Sequence, residues 1–525
     1  MAFDLEKNDT KFVVAGGGTA GWLTALQIRQ HFPDVDVTLI ESSDIGVLGA
    51  GEGSVPQFID ILHDIRIPVS DLIKHADATI KNGVKLVDWN GRGKDDVFFS
   101  SFASIDPLDY VINTRPSYSL MSMSTLESIV NGKALGDINF NQQVCNGNKV
   151  KFVKDSRADK KSDPMSHFHQ LGPYSVHFNA VKLAKYLKTV GIRRNIKVID
   201  GIIKNINNDE EDYITSFDLE DGTNVPCHFV FDCTGFKRLI IGKHYNAEWK
   251  SYKEYLPVNK AMPFFLPLGE GSIPSYTEAL AMKYGWMWKI PTQERFGCGY
   301  VYDSTLVSDE DAKKEIQEAV GREIEVTRTF SFEPGTYKTP WVKNCIAAGL
   351  SSGFVEPLEA TSIHVCVISF CLFLAYIKGA VKRNEDCIKR FNQTMGYINN
   401  DTLNFLHFHY LTERTDTVFW KDFEKSTKCP DIIQDFKDNN KDPVHLLSRD
   451  CITNNLFPIN LWLEIGAGVR FFNRQAVTET FESINTGSRK ALYGINSKDL
   501  RARMKQAYAE LEDHTAFINY IKSNK

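Results

Sequence analysis

The sequence predicts an α/β fold, with a Rossmann-like first part packed against a mostly helical last part. Three observations predict it. A short β-prone stretch, Phe12 to Val14, runs into a glycine cluster and then into residues whose apolar positions recur at helical spacing from Ala20 to Phe32. A second such stretch, Asp34 to Glu41, follows and ends in an acid. Strand-like and helix-like segments then alternate to about residue 390, beyond which the text is helical and aromatic-rich, as in Leu403 to Phe423. No Gly/Ser-rich linker separates the parts, so the expected division is 1–390 and 391–525, two intimately packed subdomains.

Composition narrows the class. The chain has 525 residues, of which 42% are hydrophobic and 24% charged, as in ordinary globular proteins. A formal net charge of −5 gives no nucleic-acid footprint. Ten cysteines stand without a CxxC pair, which suggests neither a disulfide scaffold nor a zinc site, and no metal is expected. They fit a reducing, cytoplasmic compartment. The polar start, MAFDLEKNDT, does not read as a signal peptide. The apolar run Val365 to Ile377 is shorter than the roughly 20 residues a membrane span needs, so a buried helix and no membrane partner are expected.

The first element has chemical content. Gly16, Gly18 and Gly21 fit G-x-G-x-x-G between a strand and a helix, and Glu41 stands twenty residues after Gly21. Such glycines let the backbone approach a pyrophosphate, whose charge the helix N-terminus favours, and the acid can accept from a ribose diol. NAD and FAD both use this device. Two further segments favour FAD. GAGEGSVP, Gly49 to Pro56, is a second glycine turn with Glu52 inside it, and FVFDCTGF, Phe229 to Phe236, is a buried strand running into Asp232 and Gly235. No second strand–GxGxxG–helix unit occurs; IGAGVR, Ile465 to Arg470, lies in helical text. One dinucleotide, FAD, is therefore expected without a dedicated NAD(P)H site, and reduced flavin must come from elsewhere.

Six motifs in order then resemble one family, the flavin-dependent halogenases of the tryptophan-halogenase type. They are GGGTAGW (Gly16 to Trp22), GEGSVP (Gly51 to Pro56), AMKYGWMWKIP with Trp286, Trp288, Ile290 and Pro291 in W-x-W-x-I-P, RFGCGYVYDS (Arg295 to Ser304), NCIAAGLSSGFVEPLEATSI (Asn344 to Ile363) and HYLTERTDTVFW (His409 to Trp420). The resemblance covers nearly the whole chain. It implies a flavin-monooxygenase-like (GR2-type) FAD-binding subdomain with substrate-lining segments inserted around 98–165, and a helical substrate-covering subdomain. It implies FAD, supplied as FADH2 by a separate NAD(P)H-dependent flavin reductase, with O2, halide and a small aromatic substrate as partners. A homo-oligomer is expected. FAD contacts are implied at Gly16, Gly18, Thr19, Ala20, Gly21, Glu41, Ser42, Gly51, Glu52, Ile202, Asp232, Leu350 and Ile363.

Reduced FAD and O2 would oxidise halide to hypohalous acid, which travels through the protein to a separate substrate cavity. Lys81 matches the family's catalytic lysine: an ammonium can hydrogen-bond hypohalous acid, and a neutral amine could form a haloamine. Lys85 is its neighbour in sequence, but the family lysine precedes the small-residue step, here Asn82-Gly83. Glu359 matches the active-site glutamate, directly before the small-Thr pair, with Glu356 as the alternative. Thr361 and Ser362 occupy the halide positions, where Ser362 replaces the usual glycine and could restrict the backbone or line the halide pocket. That departure makes bromide or iodide plausible preferred halides. Trp286 and Trp288, on one strand face, read either as a wall beside the flavin or as core packing. Ser100 stands where free-tryptophan enzymes have a histidine; Phe102 remains for stacking, and Phe457 and Trp462 suggest an aromatic floor for an indole or phenol. A flavin-dependent aromatic monooxygenase and a non-catalytic flavin-binding protein are the competing readings.

Overall fold

The structure is a computed structural model that describes residues 9–43, 51–102, 120–132, 139–159, 161–326, 328–444 and 456–524. The fold is mixed α/β, and the chain groups into two compact units. One comprises Met1–Ala78, Phe178–Lys253 and Phe332–Asn399; the other comprises Thr79–His177, Glu254–Ser331 and Asn400–Lys525. A single boundary at 390/391 therefore does not describe the chain, and that position lies inside the helix Glu385–His409. The change of composition there reflects a shift from strands to helices and is not a break between folding units. The first unit is interrupted twice because strands distant in sequence pair in one sheet.

That sheet has six strands in the order Lys197–Asp200, Asp36–Glu41, Lys11–Ala15, Phe229–Asp232, Cys345–Ala347 and Trp341–Val342. All pairings are parallel except the last. Parallel strands buried on both faces read as near-continuous apolar runs, which is why FVFD and KFVVA were legible as strands. The expected helix from Ala20 to Phe32 runs from Thr19 to His31, and its Trp22 is buried. The apolar segment expected as a buried helix lies within the helix Thr361–Val381. By length and composition its Thr361–Gly379 stretch could cross a membrane, yet 44% of that window is buried. Phe370 and Phe373 on it pack against Phe231, and Phe373 also meets Phe12 and Phe229, so its apolar face serves this sheet.

The second unit is not simply helical. It holds a seven-stranded sheet in the order Phe330–Ser331, Lys260–Pro267, Arg295–Tyr302, Gly285–Pro291, Thr277–Met282, Gly83–Val87 and Val97–Ser101. Its pairings are antiparallel except Thr277–Met282 with Gly83–Val87. The described residues beyond 400 are helical, as expected, with a turn at Tyr410–Thr417 that splits the HYLTERTDTVFW motif. Arg414 fixes that turn by donating to Asp416 and to the Asp88 carbonyl. Tyr410 then stacks on Trp420 and Phe423.

Candidate active site

In the first unit Gly16 and Gly21 of the motif stand where the backbone requires glycine. Gly16 has φ +124°, and a β-carbon there would meet the Cys233 carbonyl oxygen at 2.1 Å, so only glycine fits. A β-carbon at Gly21 would meet the Gly16 carbonyl at 1.9 Å, so strand and helix approach closely. At Gly18 a β-carbon would meet nothing within 4 Å. That open side lies at the helix start, which carries no side-chain cap, so its amides remain available. Thr19 Oγ1 is buried there without a hydrogen-bond partner among the described residues. Open space, uncapped amides and an orphan hydroxyl at one helix N-terminus fit a pyrophosphate.

Of the other residues expected at the cofactor, Glu41 and Asp232 end parallel strands, at the edge where such folds bind ligands. Glu41 ends its strand, Ser42 follows, and Gly201 beside Ile202 donates to the Glu41 carbonyl at 2.8 Å. The Glu41 carboxylate pairs with Lys188, and its atoms fill the space a side chain at Gly17 would need. Asp232 is fully buried and accepts from Thr234 N and Oγ1 and from the amides of Ile240 and Ile241. Its carboxylate is thus engaged in shaping the loop after its strand. Ala348 donates to the Asp232 carbonyl and Ser351 Oγ to the Gly235 carbonyl, and a β-carbon at Gly349 (φ +62°) would come within 2.7 Å of the Ala20 β-carbon, so the segment holding Leu350 passes close to the helix start. Gly51 (φ +75°) turns the chain before Glu52, whose carboxyl is pushed up to about 7 by desolvation. Gly49 and Ala50 of that motif lie outside the described residues.

Glu359 and Thr361 are buried, and Ser362 and Ile363 are half-buried. Burial does not separate Glu359 from Glu356, which is buried too. The backbone restriction expected at Ser362 does not arise, because Ser362 lies in the regular helix Thr361–Val381. The unusual residue is Ala360, at φ +52°, a left-handed conformation that costs an L-residue about 1–2 kcal/mol. Sequence reading had no signal for it, since alanine carries no mark of positive φ.

In the second unit Lys81 ends the strand Thr79–Lys81 and is 1% exposed, whereas Lys85 is partly exposed and lies over Tyr276. Lys81 Nζ lies 5.5 Å from the Phe102 ring centroid. Two histidines that sequence reading missed brace this strand. His514 accepts from the Ile80 amide through Nε2 (2.8 Å) and donates through Nδ1 to the Ile273 carbonyl (2.9 Å). Thr79 Oγ1 donates to the Pro291 carbonyl (2.7 Å), so His177 Nδ1 donates to that hydroxyl, and Nε2 accepts from Thr277. Burial pushes His514 down to about 4 and His177 well below the ordinary range, so both stay neutral. Ile80 and His514 are 434 positions apart, beyond the reach of any local pattern.

Trp286 and Trp288 lie on the strand Gly285–Pro291 as expected, 1% and 6% exposed, with ring centroids 6.3 Å apart. Gly299, opposite Trp288 in register, leaves room for its ring: a β-carbon there would come within 2.1 Å. Trp286 Nε1 is buried with no acceptor among the described residues. Phe457 and Trp462 are buried in an aromatic cluster, Phe457 stacked on Phe405 at 4.1 Å and Trp462 between Phe405 and Phe408. The aromatic floor expected of them is here part of the helical core.

The sequence profile of tryptophan halogenases matches residues 11–481. The chain is 30% identical over 455 residues to the tryptophan 6-halogenase SttH of Streptomyces toxytricini, covering 81% of this chain and 83% of that one. A tryptophan halogenase structure from Shewanella frigidimarina NCIMB 400 superposes with TM-score 0.86 at 23% identity, covering 99% and 98% of the two chains. BrvH, a flavin-dependent halogenase from Brevundimonas sp. BAL3, superposes with TM-score 0.80 at 23% identity, covering 99% and 100%. With the dinucleotide end, the buried lysine and the tryptophan strand in place, the chain belongs to the tryptophan halogenase family and is a flavin-dependent halogenase that uses FAD.

Proposed function

We propose that this protein uses FADH2, O2 and halide to make hypohalous acid and to halogenate an electron-rich indole or phenol by electrophilic substitution. The observation that carries the reading is Lys81: a fully buried lysine on a braced strand, under an aromatic ring, is not a solvated surface residue. FAD, in a flavin-monooxygenase-like unit, supplies the oxidising power with O2. Gly16, Gly18, Thr19, Gly21 and Glu41 would hold it. Lys81 donates hydrogen bonds to hypohalous acid and makes its halogen more electrophilic. Glu359 takes the proton that the arene releases. Thr361 and Ser362 hold halide; the Ser362 side chain, where relatives have glycine, favours the more easily oxidised bromide and iodide. A separate NAD(P)H-dependent reductase supplies FADH2.

The test combines purified protein, a flavin reductase, NADH, bromide and an indole, read by product mass. A product with the bromine isotope pair supports the reading. A gain of one oxygen would establish a hydroxylase, and no product would leave a flavin-binding protein. Rapid NADH oxidation with the reductase omitted would refute the external supply.

A further inference from the structure

Lys151 is completely buried, and its Nζ donates to Asn141 Oδ1 at 2.9 Å. A buried cation facing a neutral amide adds nothing obvious to stability, because its desolvation is not offset by an opposite charge. What it does is fix the amide. An ammonium only donates, so Asn141 must turn its oxygen toward Lys151 and its NH2 away. That NH2 donates to the Phe102 carbonyl at 2.6 Å. The Phe102 amide donates to the Asn82 carbonyl at 3.1 Å, and Asn82 follows Lys81 in the chain. The preceding residue is held as well: Ser101 N and Oγ donate to the buried Glu464, which also accepts from Asn139. The segment Ser101–Phe102 is thus pinned, with its ring over Lys81 Nζ at 5.5 Å.

From this arrangement we infer that Lys151 is a positioning residue for arene halogenation, acting through Asn141 to set Phe102 against Lys81. The inference rests on the proposed reading of Lys81 and Phe102. It carries a pH signature. Desolvation lowers Lys151 to about 7. The group facing it is the Cys145 thiol, which burial pushes up to about 12 and which stays neutral; Glu464 and Lys85 face that thiol in turn. Above pH 7 the neutral amine is a weaker donor to Asn141 Oδ1 than the ammonium, and the hold on Phe102 loosens.

The experiment compares wild type with Lys151→Met and Asn141→Leu, scoring halogenated indole formed per reduced flavin oxidised between pH 6 and 9. Wild type should show a fall in this ratio as pH rises through about 7. Both variants should oxidise flavin at the wild-type rate yet give a ratio about 10- to 100-fold lower and flat with pH, since a small misplacement near the reacting groups costs that much. A folded variant with the wild-type ratio and pH step overturns the inference. Loss of folding in both variants, read by circular dichroism, assigns the pair to stability alone and overturns it too. Wild type that gives no halogenated indole at any pH refutes the proposed substrate reading instead.

Discussion

At the scale of single residues, the roles proposed for Lys81 and Glu359 in the transfer chemistry each carry their own expected phenotype. Lys81→Ala should consume reduced flavin and oxygen at the wild-type rate and yield no halogenated arene. Lys81→Arg should fail as well, because a guanidinium cannot lose a proton and presents different donor geometry. Glu359→Gln should keep some product, since an amide orients but takes no proton; loss of a positioned base costs about 100- to 10,000-fold. Single-turnover flavin absorbance beside product mass spectrometry reads all three, and full halogenation by Lys81→Ala would refute the assignment. Glu41 has a separate test. Its carboxylate is shared with Lys188, so Glu41→Ala removes the proposed ribose acceptor and leaves that lysine without this partner. FAD binding should weaken by about 1.5–3 kcal/mol, the worth of a charged hydrogen bond, with the fold intact. A flavin titration showing unchanged affinity would remove Glu41 from the ribose site.

At the scale of elements, the instructive place is the step from Glu359 into the helix Thr361–Val381. A serine in the helix is unstrained, while the alanine before it carries a left-handed backbone at φ +52°. Such strain persists where surrounding structure over-determines it, often at functional sites. Ala360→Gly relieves it and should raise stability by about 1 kcal/mol, visible as a higher denaturant midpoint; a lower midpoint would mean that the alanine methyl packs better than its backbone is strained. The strand Thr79–Lys81 is the counterpart in the second unit. Three residues form a weak strand by themselves, so His177 and His514 supply hydrogen bonds that a longer ladder would otherwise provide.

At the scale of the molecule, buried titratable groups set the pH range of the fold. His364, His407 and His514 are lowered to about 4 and His177 well below its ordinary range, all chiefly by burial. Unfolded histidines bind protons near pH 6.5, so between about 6.5 and 4 the unfolded chain binds more protons at these four sites, and stability falls as pH falls. Glu52 at about 7 and Asp401 at about 6 act the other way, because the folded chain holds their protons longer. Four histidines outweigh two carboxyls through that window. The melting temperature should therefore drop between pH 6.5 and 5. A flat or rising melting temperature over that interval would contradict the burial of these histidines.

What the sequence determined by itself was local and periodic. The parallel strands were legible because burial on both faces makes them continuously apolar, and the glycine motif because each glycine answers a short-range demand of backbone angle or approach. The choice of Lys81 over Lys85 and of Glu359 over Glu356 came from motif position; burial in the fold separates the lysines and not the glutamates. The tertiary structure alone decided the rest. The two units interleave segments because sheet partners such as Phe229–Asp232 and Cys345–Ala347 lie far apart in the chain. Phe457 and Trp462 went into a core because helices distant in sequence surround them. Ala360, His514 and the Lys151–Asn141–Phe102 chain left no trace in the sequence, since a backbone angle and long-range hydrogen bonds have no periodicity to read.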